Sequence, residues 1–146
     1  MKLDPTQQPT LSLEILPEQL AVARLSPSES VPAWAFRGPF FSVSRTNDEL
    51  SVVCLQTDVP SGITVETNWR AFKVKGPLDF GLTGILASIA QPLAAAKVSI
   101  FAVSTFDTDY VLVKNENLES AIVIRPDNFI FTVPLTSTFE LSNILY

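Results

Sequence analysis

Ser99-Ile-Phe-Ala-Val-Ser-Thr-Phe-Asp-Thr-Asp-Tyr-Val-Leu-Val-Lys114 carries two apolar runs on either side of a short polar turn. β-branched and aromatic residues on both sides of a Thr/Asp turn predict a β-hairpin, with strands over 98–104 and 110–114. Just upstream, Gly76-Pro-Leu-Asp-Phe-Gly-Leu-Thr-Gly84 leads into an apolar stretch. There Leu82, Ile85, Leu86, Ile89, Leu93 and Ala96 fall on one face of a 3.6-residue period. The spacing predicts a helix from about Gly81 to Lys97, bent late by Pro92, which removes a backbone donor. A second helix is expected over 115–124, capped by Asn115 or Asn117 and stopped by Pro126. With a strand over 69–75, this half reads β-α-β-β-α.

The first half repeats the plan in reduced form. Residues 11–16 alternate as a strand, Pro17-Glu-Gln reads as a turn, and 20–25 as the strand returning from it. Residues 30–36 predict a short helix with Ser30 as its cap, kept short by Pro32. A hairpin follows, with strands over 40–45 and 50–56 around the turn 46–49. Residues 57–67 read as a loop, punctuated by Pro60, Gly62 and Asn68. The two hairpins, 40–55 and 99–113, have the same form, and an internal duplication of a βαββ unit accounts for both. The tail 127–146 is apolar and β-prone at Phe129-Ile-Phe-Thr-Val133. The expected fold class is α+β.

Composition narrows the function. In 146 residues, 47% are hydrophobic and 17% charged, enough apolar matter for a core and too little charge for a disordered chain. The net charge of −5 comes without any Lys/Arg cluster, so nucleic acid is not an expected partner. Trp34, Trp69 and the phenylalanines read as core or dimer contacts, because no basic residues interleave with them. The longest apolar stretch, 82–96, is broken by Ser88, Gln91 and Pro92 and is too short to span a bilayer. No apolar signal segment follows Lys2, so a cytoplasmic address is expected. There is no histidine, and Cys54 is the one cysteine. The commonest general base, the usual partner of a nucleophile and the commonest metal ligands are therefore missing. Cys54, inside the apolar run Leu50-Ser-Val-Val-Cys-Leu55, is expected as a buried core thiol. No cofactor is expected.

Two segments can carry chemistry. Unpaired N–H groups at a helix start hold anions, and the glycines of 76–84 let the backbone come close. The same residues also make a plain turn in which Asp79 caps the helix. In the hairpin turn, Asp107 and Asp109 suit an ammonium or guanidinium group. Thr105 and Thr108 offer hydroxyls, and Phe106 offers a ring to stack on a cation or apolar stem. The same residues also make an ordinary hairpin turn through local backbone bonds. Two carboxylates supply too few oxygens for calcium, and nothing supplies a nucleophile for an acid/base pair.

Residues 76–93 and 98–114 closely resemble the bacterial tandem-ACT-domain proteins. The hairpin Gly38-Pro-Phe-Phe-Ser-Val-Ser-Arg-Thr-Asn-Asp-Glu-Leu-Ser-Val-Val-Cys54 looks like their first-half signature. The Ser-Thr-x-x-Thr-Asp hairpin is the specific part, and it also occurs in the animal cytosolic arginine-sensor family. The resemblance implies two tandem ferredoxin-like (ACT) βαββαβ units with antiparallel sheets and helices on one face, the first unit degenerate. It divides the chain into a tail (1–10), a first unit (11–65), a second unit (66–130) and an extension (131–146). It also implies a regulatory, non-catalytic role and a homodimer. An amino acid or similar zwitterion would bind between the 76–84 loop and the turn. Asp109 would hold a cationic group, Thr105 and Phe106 would line the pocket, and backbone near Gly76 and Gly81 would take the carboxylate. Asp79, Leu82 and Thr108 complete the expected ligand-binding set.

Overall fold

The computed structural model describes residues 11–75, 84–125 and 129–132. The strands are β1 (Leu11–Ile15), β2 (Leu20–Leu25), β3 (Ser42–Arg45), β4 (Leu50–Leu55), β5 (Thr64–Val74), β6 (Ile100–Ser104), β7 (Asp109–Lys114) and β8 (Phe129–Thr132). The helices are α1 (Ile85–Ala95) and α2 (Leu118–Ile124), with 3-10 turns at Ala33–Phe36, Gln56–Asp58 and Asn115–Asn117. The described strands form one sheet that is antiparallel everywhere except between β1 and β8. The α+β class and the tandem ferredoxin-like plan both hold.

β5 is the strand that both halves use. Its first part closes the order β3-β4-β2-β5, and its second part lies in the order β6-β7-β5-β1, with β8 outside β1. The hairpins β3–β4 and β6–β7 occupy corresponding places, as the duplication requires.

The expected β1–β2 hairpin is not formed. The two strands lie end to end along one side of β5, with Leu13 opposite Val74 and Ile15 opposite Phe72, then Leu20 opposite Trp69 and Val22 opposite Glu66. Leu16 N–H still donates to Ala71 O (2.9 Å), so the ladder runs on past β1. Pro17 has no N–H to give and interrupts the ladder without reversing it. β1, first in sequence, thus stands beside the second half.

Other boundaries also move. β5 begins at Thr64, so the expected loop is shorter. Asn68 does punctuate, but inside the strand: its φ of 66° marks a bulge where the pairing with β2 shifts. Gln56 holds that bulge, accepting from Asn68 N–H at 2.7 Å and donating to Asn68 Oδ1 at 3.3 Å. The expected helix at 30–36 is a 3-10 turn that starts after Pro32, and Ser30 does not cap it. α1 starts at Ile85, with Gly84 in the left-handed region before it. Pro92 lies inside α1. Asn117 takes the cap position of α2 without a side-chain capping bond.

Among the described residues, alternation along the strands builds three cores. Val111 and Val113 of β7 join Leu13, Ile15, Phe72 and Val74 under α1 and α2, which both cover this face. Leu112 points the opposite way, with Trp69 and Ala71, and meets Leu20 and Val53 of the first half. The faces of the two halves turned away from the described helices therefore share a core. The third cluster, with Leu50, Val52 and Cys54, lies under the 3-10 turn at Ala33–Phe36. Fully burying one such side chain contributes about 1.5–3 kcal/mol.

Gly38 has a φ of +82°, and a Cβ there would stand 2.5 Å from Leu55 Cδ1. Gly38→Ala is expected to lower stability by about 1–3 kcal/mol in urea unfolding, through both backbone strain and the clash. Cys54 is fully buried. Burial, and secondarily the charge of Asp58, push its thiol up from 9.0 to about 11. Because the folded chain holds this proton longer than the unfolded one, the thiol's contribution to stability is complete below pH 9 and falls away as pH rises toward 11. A maleimide reagent at neutral pH is expected to label Cys54 only after denaturant is added.

Candidate functional site

The β6–β7 turn is built from its own hydroxyls. Thr105 N–H donates to Thr108 O (2.8 Å), and Thr105 Oγ1 donates to the same carbonyl (2.9 Å). Ser104 Oγ donates to Asp109 Oδ1 (2.6 Å), bridging the two strand ends. Thr108 is buried at 5% exposure, and its hydroxyl donates to Val74 O, on the last residue of β5. That bond places the turn beside the point where the chain leaves β5 toward Gly76.

Gly76, Asp79, Gly81 and Leu82 lie outside the described residues, so the cradle expected of the loop is not on view. Thr105, Phe106, Thr108 and Asp109 are brought together within the turn. Their roles differ from a row of free donors. Thr105 and Thr108 spend their hydroxyl protons on backbone carbonyls, whereas Asp109 keeps acceptor capacity beyond Ser104, since a carboxylate has two oxygens. Asp109 is half-buried, Asp107 is exposed, and Phe106 is 81% exposed at the tip. The Asp109 oxygen not taken by Ser104 is the acceptor that this turn can offer to a cation.

Sequence reasoning missed the first half's share of this region. A cleft of about 230 Å³ lies where Ser42, Ser44 and Ser51 of the β3–β4 hairpin meet Phe101, Val103 and Ser104 of β6. Ser104, which holds Asp109, is thus also a wall of this cleft. The Phe40 and Tyr110 rings, 4.7 Å apart, pack the lead into β3 against β7 next to Asp109. The signal was present in Ser42-Val-Ser44: alternate serines on a strand share one face, and Ser51 is directly opposite Ser44. Among the described residues, no group of three or more His, Cys, Asp or Glu side chains is placed to hold a metal. No described helix is long and apolar enough to cross a membrane.

A family model described as an ACT domain matches residues 64–124, and a second, described as an N-terminal domain, matches residues 18–62. The chain is 36% identical, over 112 residues, to the rat protein named cytosolic arginine sensor for mTORC1 subunit 1. That match takes in 66% of this chain and 34% of the rat protein, so the chain spans about a third of the length of the curated relatives it matches. A crystal structure of a protein from Agobacterium tumefaciens superposes with a TM-score of 0.82 at 39% identity, covering 91% of this chain and all of that one. The aspartate kinase of Clostridium acetobutylicum shares the fold, with a TM-score of 0.53 at 16% identity over 71% of this chain and 31% of the kinase.

Thr108→Val keeps the shape of the side chain but leaves the Val74 carbonyl without its partner. The variant is expected to lose about 1–3 kcal/mol of stability, read by denaturant midpoint, whereas Thr105→Val, at an exposed site, should lose less.

Proposed function

The chain belongs to the ACT-domain family, and from that membership we propose that it is a regulatory, non-catalytic binder of an amino acid at the β6–β7 turn. The observation that carries this is the Thr108 bond to Val74 O. It holds the turn that bears Asp109 to the last residue of β5, the strand that leads in sequence into residues 76–83, and a zwitterion with a cationic side chain needs a carboxylate at one end and anion-binding backbone at the other. Asp109 receives the cationic group, Thr105 and Phe106 wall the pocket, and backbone near Gly76 and Gly81, with Asp79 and Leu82 alongside, takes the carboxylate end. Arginine is the first candidate, because relatives are named arginine sensors.

On this reading the protein works in the cytosol as a homodimer of two-unit chains, the units meeting near residue 65 and the second completed by β1. β3, β6 and β8 each have one strand neighbour among the described residues, and open edges invite pairing with a second copy. Occupancy would shift a partner equilibrium by as much as the ligand discriminates between its two states. A second reading, an ACT-like dimer that binds no metabolite, draws on the same turn: its threonine hydroxyls are already engaged inside it.

Thermal shift with each of the twenty amino acids separates the two readings. A true ligand at a hundred times its dissociation constant stabilises by about 2.7 kcal/mol, and silence from all twenty favours the second. For a ligand so found, calorimetry of Asp109→Ala is expected to show affinity weakened by about tenfold or more with the fold intact, the loss of one hydrogen bond to a charged group. Equal affinity for variant and wild type would remove the site from the turn.

A further inference from the structure

β6 is a sheet edge without the usual protections. Among the described residues, β7 is its one strand neighbour. Free edges are ordinarily blunted by a charge, a proline or a bulge. The stretch 98–106 holds neither a charged residue nor a proline. β6 also pairs with β7 in unbroken register, from Ile100 opposite Val113 to Ser104 opposite Asp109.

The alternation of the ladder tells which backbone groups lie on that edge. Thr105 N–H is bonded to Thr108 O, so these two residues form a bonded pair. Opposed residues in an antiparallel ladder alternate between bonded and non-bonded pairs. Val103 and Phe101 therefore spend their N–H and C=O on β7, while Ser104 and Ala102 turn theirs outward. Ala102 and Ser104 both line the cleft of about 230 Å³, whose other wall carries Ser42, Ser44, Ser51 and Val53. Ser42 is directly opposite Val53 and Ser44 opposite Ser51, so all four side chains share one face of the β3–β4 hairpin. The outward backbone groups of β6 thus run along a slot whose far wall is hydroxyl and methyl, and no lining residue is charged.

We propose that this slot takes an extended, uncharged peptide segment of another protein, which adds a strand outside β6. Strand geometry gives one residue of extended chain about 160 Å³ between sheet layers, so the slot holds one or two residues opposite Ala102 and Ser104. The rest of the segment follows β6 toward Ile100. The uncharged lining selects an uncharged segment, and the serine wall suits small side chains such as serine, threonine and valine. A second copy's β6 would arrive with β7 and its own hairpin wall attached, and fits a slot of this volume less well than a lone chain. The second copy of the proposed homodimer is left the edges of β3 and β8. The peptide site stands whether or not the turn binds a ligand.

The test is nitrogen-15 NMR of the full chain titrated with a capped five-residue peptide of alternating threonine and valine. A second titration uses the same peptide N-methylated at every amide, which has no backbone donors. The Ala102 and Ser104 amide resonances are expected to shift saturably with the first peptide and to stay in place with the second. Ala102→Pro removes an outward N–H and leaves the bonds to β7 intact, because an edge strand accepts proline where its N–H faces solvent. It should raise the peptide midpoint by about tenfold or more. Ser44→Lys, which puts a charge on the far wall and leaves β6 untouched, should do the same, and it keeps the test open if Ala102→Pro does not fold. The proposal is overturned by the absence of a saturable shift, by an equal response to the N-methylated peptide, or by a response that survives both variants. It is also overturned if sedimentation shows a wild-type dimer that Ala102→Pro turns into a monomer, which would give the edge to a second copy.

Discussion

One strand, β5, makes two half-folds into one molecule. It is long enough, from Thr64 to Val74, to pair with β2 along its first part and with β1 and β7 along its second. Because its side chains alternate, Phe72 and Val74 face the helices while Trp69 and Ala71 face the first half. The two halves therefore cannot separate without breaking ladder bonds and opening the shared apolar core around Leu20, Val53 and Leu112. Where the two parts of β5 meet, Asn68 supplies the bulge and Arg70 ties β5 to Leu16 O (3.1 Å), at the joint between β1 and β2. Burial at that joint pulls the Arg70 guanidinium below its ordinary pKa, and the nearby charge of Glu18 partly offsets this.

The functional geometry follows from the same strand. β5 ends at Val74, whose carbonyl takes the Thr108 hydroxyl. The position of the β6–β7 turn is thereby set by the strand that also fixes the first half. Ser104 joins that turn to the cleft shared with Ser42, Ser44 and Ser51. A ligand at the turn would thus touch a part of the molecule that senses both halves.

Local pattern made the second half legible. The hairpins, α1 and α2 emerged close to where periodicity and turn chemistry put them, because short-range signals decide such elements. The 3-10 turn at Ala33–Phe36 was read as a helix because a capping serine and an apolar run look alike in either case, and Pro32 decided the outcome. The β1–β2 arrangement was not legible. Pro17-Glu-Gln is equally good chemistry for a reversal and for a break in an extended strand, and the choice depends on whether a partner as long as β5 exists. β8 was visible as a β-prone run, but its place beside β1 is a parallel, long-range pairing with no local signature. At the candidate site, Thr105, Thr108 and Asp109 were legible as a group. That Thr108 would be buried and committed to Val74 was not, since its partner is distant in sequence.

Hydrogen exchange with and without a saturating cationic amino acid tests the central claim most directly. If the ligand sits between the end of β5 and the turn beside it, slowed exchange should appear at amides 74–84 and 104–109 while the outer face of α2 stays unchanged. Uniform exchange at both segments, or protection elsewhere that spares them, would contradict the account.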